Sequence, residues 1–68
     1  MEERWEVTIE DRDTEDEWYA ELVWATGATE ARQRALTAIG EHHPETRGHQ
    51  LVITKVRVVW TPRASDKA

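Results

Sequence analysis

The spacing of apolar residues changes period twice within 68 residues, and that change constrains what the chain can build. Trp5, Val7 and Ile9 alternate with Glu6, Thr8 and Glu10, the two-residue period of a strand with one face buried. A first strand is therefore predicted over 4–10. The next six residues, Asp11 to Asp16, are polar and rich in Asp, which favours turns, so they read as a hairpin loop. Alternation resumes with Trp18, Ala20, Leu22 and Trp24 on one side and Tyr19, Glu21 and Val23 on the other. This predicts a second strand over 17–25, supported by its aromatic and β-branched content.

Beyond Thr26-Gly27 the spacing becomes helical, with Ala31, Ala35, Leu36, Ala38 and Ile39 recurring at i, i+4 and i+7 intervals. A helix from Ala28 to about His42 follows, with Thr26 or Gly27 as N-cap. Glu30 falls in the first turns, where the helix dipole favours an anion, and Pro44 lies just past the end. A seam made mostly of alanine lets such a helix lie close to a sheet, with Leu36 and Ile39 as its only large contacts. After the polar connection Glu45-Thr46-Arg47-Gly48, Leu51 to Trp60 is a third strand. Val52, Val56, Val58 and Trp60 alternate there with Leu51, Ile53 and Val59. The expected fold class is α+β: one ββαβ domain over 1–61 with one helix on one face of a three-stranded antiparallel sheet, and an unstructured tail over 62–68. Placing strand three beside strand one sets Lys55 and Arg57 against Glu6 and Glu10, which predicts the sheet order 2-1-3.

Composition narrows the classes of function. There is no cysteine, hence no disulfide framework and no thiolate metal site, and the default reading is a reducing compartment. No apolar run approaches the ~20 residues that span a bilayer, and the start Met1-Glu2-Glu3 is the opposite of a signal peptide. A cytoplasmic protein without membrane contact is expected. The net charge of -5 is unevenly spread: residues 1–30 carry 11 acidic and 2 basic side chains, and residues 31–68 carry 3 acidic and 7 basic. Overall acidity makes nucleic acid an unfavoured partner, since phosphate affinity comes from Lys and Arg.

No catalytic or cofactor signature stands out. Asp11, Asp13 and Glu15 match positions one, three and five of a calcium loop, but Asp16 stands where glycine is required and Leu22 where a bidentate glutamate is required. His42 and His43 diverge by about 100° on a helix, and with His49 they suit a helix C-terminus better than a shared metal. Ser65 is the only serine and only three glycines are present, so neither a serine nucleophile with its base nor a phosphate loop is formed. The expectation is a protein that is not an enzyme and holds no cofactor.

The stretch from Trp18 through the helix to Val59, with Glu30-Ala31-Arg32 at the helix start, resembles the small archaeal ribosomal protein of the LX type. It is also similar to short ββαβ proteins of actinobacterial and phage genomes. The resemblance implies a ββαβ fold and a phage-encoded or ribosome-associated role. It assigns no functional residue.

One helix covers one face of a three-stranded sheet. If it covers Trp5, Val7, Ile9, Trp18, Leu22, Trp24, Val52, Val56 and Trp60, then Tyr19, Val23, Leu51, Ile53 and Val59 are left on the other face, which calls for a second surface. The expected function is a non-enzymatic protein-interaction module that forms a homodimer through that face or the edge of strand three. It would present the acidic hairpin residues Asp11, Asp13, Glu15 and Asp16 to a partner with a basic surface. The alternative is a nucleic-acid-binding module using Arg32, Arg34, Arg47, Lys55, Arg57 and Arg63, with Tyr19 and Trp60 as stacking surfaces.

Overall fold

Strands β1 (Glu3–Asp11) and β2 (Glu17–Ala25), helix α1 (Ala28–His42), a 3-10 turn (Pro44–Thr46) and strand β3 (Leu51–Trp60) follow one another along the chain. They are described in a computed structural model that covers residues 1–15 and 17–62. Asp16, Arg63 and all but the first residue of the predicted tail lie outside the described residues. The sheet order is β2-β1-β3 with both neighbouring pairs antiparallel, as the charge pattern predicts. Glu6 and Arg57 are cross-strand partners, 2.7 Å apart at their charged groups. Glu10 departs from the expectation: it faces Val52 across the strands and pairs instead with Arg12 at 3.3 Å.

Gly27 is the helix N-cap and has no side chain to serve the first-turn amides. Glu30 reaches back instead and accepts from the Thr26 backbone N–H at 2.8 Å and its hydroxyl at 2.9 Å, a variant of the capping box. These bonds hold the Glu30 carboxyl below the usual range. Arg34 closes the same end by donating to Glu2, to Glu30 and to the Trp24 carbonyl. The helix ends at His43, and Pro44 starts the 3-10 turn that leads towards Gly48, whose φ of 85° is a left-handed conformation suited to glycine.

The helix lies mainly over β2. Its buried seam is Ala31, Ala35 and Ile39, one residue every fourth position, and it meets Val7, Ile9, Val23 and Ala25. Leu36, predicted as a core residue, sits about 100° around the helix from Ala35 and is 43% exposed.

The face assignment of β2 is the reverse of the expected one. Cross-strand partners share a face, and Trp5 pairs with Val23, Val7 with Glu21 and Ile9 with Tyr19. Tyr19 and Val23, expected on the open side, therefore pack against the core, and Trp18, Leu22 and Trp24 point away from the helix. The cause is loop length. A six-residue loop from Asp11 would align the tryptophans with Val7 and Ile9, but β1 continues to Asp11, which pairs with Glu17 and leaves one residue fewer in the turn. A one-residue change of register exchanges every side chain between faces.

On β3 two irregularities do the same work. The register shifts between Thr8 and Ile9 and again between Arg4 and Trp5, so that Thr54 and Val59 are skipped in the pairing. Leu51, Ile53 and Val56 all pack towards the core, which unbroken alternation forbids. Leu51 and Ile53 are thus corrections to the expected open face, whereas Val59 is exposed. No helix among the described residues is long and apolar enough to cross a membrane.

Because Ile39 is fully enclosed and Leu36 is not, Ile39→Ala is expected to lower unfolding free energy by about 2–4 kcal/mol, and Leu36→Ala by less than about 1 kcal/mol. Urea denaturation of the two variants measures the difference, and equal losses would place the seam wrongly.

Candidate functional site

With α1 on one side, no element among the described residues covers the opposite face of the sheet, and its side chains form a grid of three columns. The rows, read from β2 across β1 to β3, are Trp24, Arg4, Trp60; then Leu22, Glu6, Arg57; then Ala20, Thr8, Lys55; and last Trp18, Glu10, Val52. Trp18 is 65% exposed, Leu22 51%, Trp60 48% and Trp24 44%, which is unusual for residues that account for much of the apolar bulk of so small a chain. Trp5, the fourth tryptophan, belongs to the helix side, where its indole Nε1 donates to the Ala25 carbonyl at 3.1 Å.

The two ends of this face differ in character. At one end Trp24 and Trp60 meet edge to face, with centroids 5.6 Å apart and planes at 82°, and the Arg4 guanidinium carbon lies 5.0 Å from the Trp24 ring centre. At the hairpin end Thr8, Glu10, Glu17, Trp18 and Thr54 line a shallow open recess of about 410 Å³. One end therefore offers a cation among indoles, and the other offers carboxylates beside an indole. Among the described residues no carboxylate lies within ion-pairing distance of Arg4 or Lys55, while Arg57 is already held by Glu6.

A second group of ionisable residues gathers where the helix end and both loops meet the hairpin. Asp11, expected on a solvated loop tip, is buried as the last residue of β1, and its Oδ2 lies 2.8 Å from His49 Nδ1. Its other oxygen accepts from the Asp13 backbone N–H at 2.9 Å, and Asp13 in turn accepts from the Gln50 backbone N–H at 3.1 Å. Two of the four predicted hairpin interaction residues are thus spent inside the chain, strapping the hairpin to the segment entering β3. Glu15 is exposed, and Asp16 lies outside the described residues. On β2 the buried Glu21 meets His42 Nδ1 at 3.0 Å, and the His43 ring packs on Tyr19 with centroids 4.4 Å apart. Tyr19 donates to Glu17 at 2.9 Å, and that carboxylate pushes its hydroxyl pKa up to about 12. The three histidines therefore serve three separate contacts, and among the described residues no three His, Asp or Glu side chains converge as metal ligands would. Only the fold could reveal Glu21 and Asp11 as inward carboxylates, because nothing in the sequence ties them to His42 and His49, 21 and 38 positions away.

The residues predicted for nucleic acid do not form one surface. Arg34 is held by Glu2, which raises its pKa, and Arg47 donates to the Gly40 carbonyl at 3.0 Å. Arg32 projects from the helix on the far side from Lys55 and Arg57, and Arg63 lies outside the described residues.

The Asp11–His49 contact gives a pH signature. The bond from His49 holds Asp11 below its ordinary 3.8, and the same bond raises His49 above its ordinary 6.5, aided by Asp13 and Glu45 nearby. Stability from Asp11 is present above 3.8 and is lost as pH falls through its lower folded value; that from His49 is complete below 6.5 and is lost as pH rises through its higher folded value. The gap in urea midpoint between the parent chain and His49→Ala should therefore be widest between those two values and narrow on either side. A gap independent of pH would show that the pair does not titrate with folding. No family model, curated protein or solved structure matches this chain, so its functional reading rests on these two regions.

Proposed function

We propose that this chain is a small non-enzymatic protein-interaction module that works through the open face of its sheet, where it pairs with a second copy of itself. The observation that carries the reading is the outward placement of Trp18, Leu22, Trp24 and Trp60 on one uncovered face. Tryptophan and arginine are the residues most enriched at the energetic centres of protein interfaces. Placed in water instead, the same side chains leave apolar area unburied in a domain with seven buried apolar side chains among the described residues. The hairpin carboxylates lend less support to a role in display, because Asp11 and Asp13 are tied to His49 and Gln50.

Nucleic acid is the second reading, favoured by one arrangement: Arg4 and Lys55 share a sheet face with three indoles, as in platforms that stack single-stranded bases. Glu6 and Glu10 in the central column and the net charge of -5 oppose it. A gel shift with a single-stranded oligonucleotide at low salt separates the two readings.

Leu22→Lys puts a charge in the middle of the open face without touching the core. Sedimentation velocity over a concentration series is expected to give a dimer for the parent chain and a monomer for Leu22→Lys, with unchanged far-ultraviolet circular dichroism. A parent chain that stays monomeric throughout would contradict the proposal. Ile53→Lys, by contrast, charges a residue packed against the core and is expected to unfold the chain.

A further inference from the structure

We infer that two copies stack these open faces antiparallel, so that Arg4 of each copy enters the acidic recess beside Glu10 and Trp18 of the other. This rests on the reading of the open face as the interaction surface and adds its geometry.

Two sheets stacked face to face about a two-fold axis have two aligned arrangements, because the axis lies between the sheets and runs either along the strands or across them. An axis along the strands leaves each row facing itself. The central column would then set Arg4 on Arg4, Glu6 on Glu6 and Glu10 on Glu10, three like-charge contacts in a surface being removed from water. An axis across the strands reverses the rows. Arg4 then faces Glu10 of the partner subunit, a half-exposed carboxylate that Arg12 holds from one side at 3.3 Å, and Glu6 faces the uncharged Thr8.

The β2 column agrees. Reversal brings Leu22 over Ala20 of the partner subunit, a large side chain above a small one, and carries Trp24 to Trp18. On β3 the same reversal sets Lys55 over the partner subunit's Arg57, a like-charge contact softened because each Arg57 is neutralised by its own Glu6 at 2.7 Å, so Arg4 is the cation that gains a carboxylate. The recess at the hairpin end supplies the space: about 410 Å³ lined by Glu10, Glu17 and Trp18 receives a guanidinium that already travels with an indole.

Area is adequate. A stable interface takes ~800 Å² from each partner. At ~250 Å² for a whole indole, the three outward tryptophans alone expose about 400 Å². The remaining side chains of the grid supply the rest.

The test is a charge exchange read by sedimentation equilibrium on the full chain: the parent, Arg4→Glu, Glu10→Arg, and the two together. Each single reversal is expected to raise the dimer dissociation constant about tenfold or more, and the double exchange to bring it back to within about threefold of the parent. Thermal melts by circular dichroism establish that each variant is folded, and the double exchange restores pairing only if the two positions meet. A parent dimer that Leu22→Lys breaks but the double exchange fails to restore overturns the antiparallel stacking and leaves the open-face reading standing. A parent that is monomeric overturns both. A parent dimer insensitive to all of these substitutions places the contact away from this face and also overturns both.

Discussion

The close approach of an alanine seam to the sheet is the constraint on which the rest of the molecule depends. Ala31 and Ala35 are fully buried, and the space they leave above β2 admits Val23 and Ala25. The two indoles of β2, Trp18 and Trp24, would not fit there without lifting the helix and opening voids along Val7 and Ile9, and interiors tolerate neither gaps nor overpacking. A helix this close and this narrow also covers only part of the sheet. It lies mainly over β2, so the last residues of β3 are exposed, and among the described residues nothing covers the reverse side. The outward tryptophans and the tight core are therefore one fact seen from two sides.

Fixed charges hold the two ends of this thin assembly. At the helix start, Glu30 caps the backbone at Thr26 while Arg34 ties Glu2 and the end of β2 to the helix. At the hairpin end, buried Asp11 and Glu21 each meet a histidine, and the Asp13 carboxylate clasps Gln50. A buried carboxylate is costly unless it is paired, so these contacts restrict the hairpin to one register more than they add net stability. Register in turn decides which side of β2 faces out. The latch at Asp11 thus connects to the open face: were the hairpin to slip by one residue, Trp18, Leu22 and Trp24 would exchange places with Tyr19, Val23 and Ala25.

Element positions were legible because period and punctuation agree: the strands, the helix and the order β2-β1-β3 follow from alternation, from Gly27 and Pro44, and from the Glu6 and Arg57 charges. Which face is inward was legible in β1, where Trp5, Val7 and Ile9 face the core, but not in β2 or β3. In β2 the more apolar set, Trp18, Leu22 and Trp24, is the outer one, and the inner set includes Glu21. Hydrophobicity alone selects the wrong side there, because the deciding quantity is whether the turn holds five residues or six. In β3 the bulges at Thr54 and Val59 change phase within a single strand, and no alternating pattern encodes that. The existence of an uncovered apolar face survives this inversion, since it depends on counting layers; the identity of its residues does not. Asp11 misled for a related reason, as an aspartate at a strand end looks like a turn residue until its histidine, 38 positions away, is placed beside it.

The central claim is that three tryptophans face outward and one inward, and that association covers the three. Fluorine resonances of 5-fluorotryptophan incorporated at all four positions report this directly, each assigned by a single Trp→Phe replacement. The signals of Trp18, Trp24 and Trp60 should broaden with a soluble paramagnetic agent at the lowest protein concentration, then shift and become protected as concentration rises, while Trp5 stays unchanged throughout. Protection of Trp18 and Trp24 in the dilute protein, or movement of Trp5 together with the other three, would contradict the account.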